Sequence, residues 1–95
     1  MIDIVEYENM KELTKCLKAL ANERRLSILL ALTRREPLTV NKLAKRIGLS
    51  IKSTSKHVQR LVDCDLLAKK QRSLFVWCHL NRKHSILKSL FSHLK

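Results

Sequence analysis

The sequence predicts a mainly α domain with one small β-hairpin inserted before the last helix, and three observations predict it. Only one glycine and one proline occur among 95 residues, so helix formers dominate. Hydrophobic residues make up 45% and charged residues 29%, a globular rather than disordered balance. Apolar residues recur at spacings of three and four along most of the chain, and the period changes only after Asp65. This length suits one core and not two, so residues 1–95 are expected to form a single domain. A domain so small is marginal alone, and pairing with a second copy is a common remedy.

From about residue 8 to 20, Met10, Leu13, Leu17 and Leu20 form one stripe, a first helix. Asn22 can cap the second helix, whose wide apolar face carries Leu26, Leu29, Leu30 and Leu32. Arg34, Arg35 and Pro37 end it in a charged turn. Thr39 is placed to cap a third helix with Val40, Leu43, Ala44 and Ile47 facing inward. Gly48 follows where a helix closes in the left-handed conformation, and Leu49 plugs the turn. Ser50 then caps a fourth helix with Thr54, Val58, Leu61 and Val62 inside. Two short helices joined by a tight, glycine-containing turn are a helix-turn-helix.

Beyond Asp65, Leu66 and Leu67 lead into Ala68–Ser73, and Leu74–Leu80 is rich in aromatic and β-preferring residues. Two strands with a basic tip read as a wing. A last helix begins near Arg82 and runs to about residue 94, with Ile86, Leu87, Leu90, Phe91 and Leu94 as its stripe. The whole is a winged helix-turn-helix, with four helices, two strands and a fifth helix in order.

The formal charge is +12, from 20 Lys plus Arg against 8 Asp plus Glu. Residues 1–12 are acidic (Asp3, Glu6, Glu8 and Glu12 against Lys11), so the remainder is more basic still. Such a body attracts polyanions, nucleic acid first among them. A membrane partner is not expected, because no basic amphipathic helix carries large aromatic anchors. The longest apolar run, Ile28 to Leu32, is too short to cross a bilayer. Cys16, Cys64 and Cys78 are odd in number and irregularly spaced, with no Cys-x-x-Cys pair, so they suggest neither a disulfide framework nor a zinc finger. They read better as small hydrophobes than as redox sensors. The acidic opening is unlike a secretory leader, and a cytoplasmic location is expected. Nor is an enzyme expected: there is no glycine-rich phosphate loop, and the four histidines lack a nucleophile or carboxylate at informative spacing.

In a helix-turn-helix the second helix enters the major groove with its N-terminal residues at base edges. That edge would present Lys52, Ser53, Ser55, Lys56, Gln59 and Arg60, with Ser50 at its cap. Serine can donate or accept, and lysine can reach guanine or phosphate. Ile51 is expected to pack at the turn rather than touch a thymine methyl. Lys69, Lys70, Gln71 and Arg72 on the wing, and Lys42, Lys45 and Arg46 on the third helix, suit phosphates, contacts that position without reading sequence. The first and last helices together would form a two-fold interface, placing two recognition helices on half-sites of a palindromic duplex. Two other readings compete: a winged-helix module for protein pairing, and a nonspecific nucleic-acid-binding protein.

The stretch Leu17 to Leu29, with Ala21-Asn22-Glu23-Arg24-Arg25-Leu26 at its centre, resembles the opening of ArsR/SmtB-type repressors. So do Leu43-Ala44-Lys45-Arg46-Ile47-Gly48-Leu49-Ser50, Ser55-Lys56-His57-Val58-Gln59-Arg60-Leu61, and the Phe75–Leu80 strand. The resemblance spans residues 13–80. It implies a homodimeric winged-helix repressor that occupies an operator, with recognition positions on Ser50, Lys52, Ser53, Ser55, Lys56 and His57. Asp65 stands where glycine is common in the family, and Asp tolerates that left-handed geometry. Thiolate sensors of the family carry Cys-x-Cys where this chain has Thr39 and Asn41, and zinc sensors carry Asp-x-His where it has Asn81 and Lys83. Neither metal site is supported, and no cofactor is expected. His84 and His93 lie on opposite sides of the last helix and cannot chelate one ion within a chain. His57 is expected to be structural or phosphate-facing.

Overall fold

Four of the five described helices start at a side-chain oxygen that the sequence places just ahead of them. In the computed structural model, which describes residues 1–94, these are α1 (Ile4–Leu20), α2 (Glu23–Arg34), α3 (Val40–Ile47) and α4 (Ile51–Asp63). Asp3, Asn22, Thr39 and Ser50 accept from the backbone N–H three residues on, at 2.8, 3.1, 3.2 and 3.0 Å. Each bond satisfies one of the donors that a helix start leaves open. A short strand β1 (Leu38–Thr39) precedes α3, the hairpin β2 (Leu67–Arg72) and β3 (Phe75–Leu80) follows α4, and α5 (Ser85–Leu94) ends the described chain.

The winged helix-turn-helix is therefore present, with three adjustments. First, the sheet has three antiparallel strands in the order β1-β3-β2, not two. Leu38 pairs with Cys78 and Thr39 with Trp77, so the residue that caps α3 also closes the sheet edge. Second, α1 begins at Ile4 rather than near residue 8, because Asp3 caps it and Glu6 sits in its first turn. An acid there also opposes the positive end of the helix dipole. Third, α5 begins at Ser85 rather than near Arg82. Asn81 is drawn back to the end of α4, its amide donating to the Asp65 carbonyl at 2.8 Å. Arg82 donates twice to Glu36, which also accepts from the Leu80 N–H. Those ties hold residues 81–84 in a turn.

One core runs through these elements: Ile28, Leu29 and Leu32 of α2, Leu43 of α3, Val58 and Leu61 of α4, and Leu38, Cys78 and Leu87 are all fully buried. Thr54 is buried among them, and its hydroxyl donates to the Ser50 carbonyl at 2.8 Å. Helix α1 is unlike the rest. Only Cys16, Ala19 and Leu20 are buried, whereas Met10, Leu13 and Leu17 are 41, 47 and 52% exposed. Its apolar stripe faces away from its own chain. Among the described residues, no helix is long and apolar enough to cross a membrane.

Candidate nucleic-acid interface

The turn between α3 and α4 sets the angle at which α4 is presented. Gly48 closes α3 at φ 71°, and the Leu49 N–H returns to the Ala44 carbonyl at 3.0 Å. This is the left-handed closure that glycine makes without strain. Arg24 of α2 adds a second lock, donating to the Ile47 carbonyl at 2.8 Å, where the negative end of the α3 dipole favours a cation.

With Thr54, Val58 and Leu61 inside, the opposite side of α4 is open. Ser50, Lys52, Ser53, Ser55, Lys56 and Arg60 are all exposed. No acid occurs on α4 before Asp63. The Ser50 hydroxyl is engaged as the cap, which leaves the Ser53 and Ser55 hydroxyls as the free polar groups between the two lysines. Ile51 does not pack at the turn as expected: it is 51% exposed, whereas Leu49 is the turn residue that packs against the core.

Gln59 is tied down. Its amide donates to Asp63 at 2.7 Å, and its carbonyl oxygen accepts from the Lys69 ammonium. That chain of contacts links α4 to the base of the wing. Strand alternation then divides the wing charges. Lys69 faces α4, so Gln71 shares its face, while Lys70 and Arg72 lie on the other. Lys69, Lys70, Gln71 and Arg72 are all exposed, and Leu74 projects at the tip, 88% exposed, beside Ser73 at φ 56°.

Arg25 lies beneath α4 and is only 8% exposed. Its guanidinium donates to the Ala19 and Lys18 carbonyls at the end of α1 and, at 3.1 Å, to Nδ1 of His57. The one signal for it in the sequence is the Arg24-Arg25 pair on a helix whose neighbours are apolar. A hollow beside this pair is lined by Arg25, Ser53, Lys56, His57 and Arg60. Burial, then the charges of Arg25, Arg60 and Arg24, hold the His57 pKa below its ordinary value. Burial and Arg60 likewise lower that of Arg25.

The three cysteines are free and buried. Cys16 and Cys64, far apart in sequence, meet where α1 passes the end of α4: the Cys16 thiol donates to the Cys64 carbonyl at 3.4 Å and lies 3.8 Å from Nε2 of His84. Cys78 and His79, neighbours on β3, face opposite sides, Cys78 fully buried and His79 half-buried. Among the described residues, no three His, Cys, Asp or Glu side chains converge as a metal site.

Residues 20–69 match the family described as a helix-turn-helix domain. No curated protein matches the chain. Among solved structures, reduced HlyU from Vibrio cholerae is 31% identical, covering 93% of this chain and 90% of its own, with a TM-score of 0.76. The antimony-specific transcriptional repressor AntR is 29% identical over 99% of this chain and 81% of its own, with a TM-score of 0.78. A homodimeric winged helix-turn-helix DNA-binding domain from Mycobacterium bovis, a possible ArsR-family regulator, has a TM-score of 0.84 at 21% identity, covering 99% and 87%. At that identity the likeness is one of fold.

Proposed function

The chain belongs to the ArsR/SmtB-type winged helix-turn-helix family, and from that premise we propose that it is a dimeric, sequence-specific DNA-binding transcriptional regulator that represses from a palindromic operator. One observation carries this: Lys52, Ser53, Ser55 and Lys56 form an open edge at the start of α4, free of acids, on a helix held rigid by its cap, Gly48 and Arg24. An α-helix of this kind fits the major groove, where serine and lysine can meet base acceptors. Ser50 serves as the cap, and Gln59 and Lys69 act as a brace that sets the wing. Lys70 and Arg72, with Arg60 on α4, meet phosphates.

The apolar residues left open on α1, Met10, Leu13 and Leu17, support a two-fold interface made with α5 of both copies. Its half-buried Leu90, Phe91 and Leu94 are the complementary stripe. Two recognition helices would then reach half-sites roughly 34 Å apart. Residues 1–95 act as one domain in the cytoplasm, with no catalytic step. Thr39 and Asn41 supply no thiolate, and Asn81 and Lys83 no carboxylate or imidazole, at the positions where metal sensors of the family carry those ligands, so the function proposed here includes no cofactor.

A footprint over the protein's own upstream DNA tests the proposal. The wild type should protect one short palindrome at about 150 mM salt, and a Lys52→Ala/Lys56→Ala variant should lose protection while remaining dimeric. Equal affinity for unrelated duplexes, with no protected window, would show a nonspecific binder instead.

A further inference from the structure

We propose that the hollow formed by Arg25, Ser53, Lys56, His57 and Arg60 is a seat for one phosphate oxyanion, in which Arg25 positions His57 as a neutral ring N–H donor; for a phosphate of the DNA backbone, this rests on the function proposed above.

The charge balance points first to an anion. Arg24 and Arg25 from α2 and Lys56 and Arg60 from α4 surround His57, and α1 contributes only the Lys18 and Ala19 carbonyls to Arg25. The nearest acid on α4, Asp63, accepts from Gln59 and borders a separate hollow with Lys15, Lys18 and Arg60. Like charges are thus gathered around one imidazole, and no carboxylate lines the hollow. Such crowding opposes folding, and an anion placed among these groups relieves it.

Geometry then fixes the proton on the imidazole. A guanidinium only donates, so the 3.1 Å contact from Arg25 Nη1 requires a lone pair on His57 Nδ1. The single ring proton of neutral His57 therefore sits on Nε2. Arg25 is held by two α1 carbonyls as well, so its fork cannot turn aside. The recognition helix thereby offers a ring N–H, a serine hydroxyl and two flexible cations at one point. That set suits the oxygens of a phosphate, a positioning contact, and leaves Lys52 and Ser55 of the same edge for base acceptors.

Two sources of phosphate share this chemistry, the duplex backbone and the free ion, and nitrogen NMR of the histidine rings separates them. Free protein at pH 7.5 should show His57 as the Nε2–H tautomer. Titration with a duplex bearing the footprinted site should shift the His57 ring signals while those of exposed His93 stay fixed. A parallel titration with inorganic phosphate at millimolar concentration identifies a free-ion seat if it gives the same shift, and a backbone-only seat if it does not.

Substitutions at the half-buried His57 avoid the folding risk of removing Arg25. His57→Gln keeps an N–H donor and should retain operator affinity within about threefold. His57→Leu removes the ring donor but no positive charge, so it should weaken operator binding roughly tenfold while leaving the log–log salt slope nearly unchanged. Equal losses for Gln and Leu, or His57 signals that ignore both ligands while the wild type still footprints its operator, would overturn the seat and leave DNA binding standing. A wild type that footprints nothing, yet shifts His57 with inorganic phosphate, would instead sink the DNA-binding function and keep the seat.

Discussion

Burial pushes the Cys64 thiol up to about 12 and the Cys78 thiol up to about 11. Each is then almost wholly protonated at neutral pH, and the thiolate is the reactive form. Iodoacetamide at pH 7.5 should therefore label these two only as fast as the native state opens, and both at full rate in denaturant. Rapid labelling of either in the folded protein would contradict their burial. His57 gives a second test at this scale. Its folded pKa lies below the unfolded value near 6.5 through burial and the charges of Arg25, Arg60 and Arg24. The unfolded chain thus binds more protons just below pH 6.5, so stability rises with pH there. The His57 contribution is complete above about 6.5 and is lost as pH falls toward and through the depressed folded value. Denaturant midpoints from pH 7.5 to 5 should decline in the wild type and decline less in His57→Gln; parallel curves would show that His57 is not the titrating group.

At the scale of elements, the backbone positions with positive φ make the sharpest test. Nothing lies within 4 Å of a Cβ built on Gly48, so Gly48→Ala meets no clash and its penalty is conformational alone. About 1 kcal/mol of destabilisation is expected from urea melts, with DNA affinity falling further if the angle between α3 and α4 shifts. Ser73 at φ 56° is the converse, and Ser73→Gly should gain a few tenths of a kcal/mol, offset in part by the freer unfolded chain. These caps and turns are also where the fold was most legible. Asn22, Thr39, Ser50 and Gly48 act locally, so their roles follow from the few residues around them. The α1 start was written in the chain as well, in Asp3 followed three residues later by Glu6, but the acids there stand out first as charge. Strand β1 left no local trace: two residues cannot show a period, and Leu38 and Thr39 are a strand only because Cys78 and Trp77 arrive beside them. For the candidate site the division is the same. The open lysines and serines of α4 follow from its inner face, whereas Arg25 against His57 and Cys16 against Cys64 are contacts between distant segments that spacing cannot foretell.

For the whole molecule, charge and apolar surface act in opposite directions on assembly. Each protomer carries a formal +12, so two copies would repel at low ionic strength, while in the proposed dimer the exposed Met10, Leu13 and Leu17 of α1 would draw them together. Repulsion between surface charges fades as the screening length shrinks from about 30 Å at 0.01 M to about 10 Å at 0.1 M, and apolar burial does not. The proposed dimer should therefore tighten as salt rises, with DNA absent. Operator binding has the reverse dependence, because bound phosphates release counterions that added salt returns. At protein concentrations near the dimerisation constant, operator occupancy should pass through a maximum as salt increases, and well above that constant it should only fall. Sedimentation across a salt series gives the first curve and a footprint titration the second. Leu13→Asp with Leu17→Asp places two acids on the α1 stripe without touching Cys16, Ala19 or Leu20, so the fold should persist as a monomer whose occupancy falls monotonically at every protein concentration. A wild-type dimer that instead loosens steadily with salt would mean that ion pairs, not the apolar face of α1, hold the two copies together.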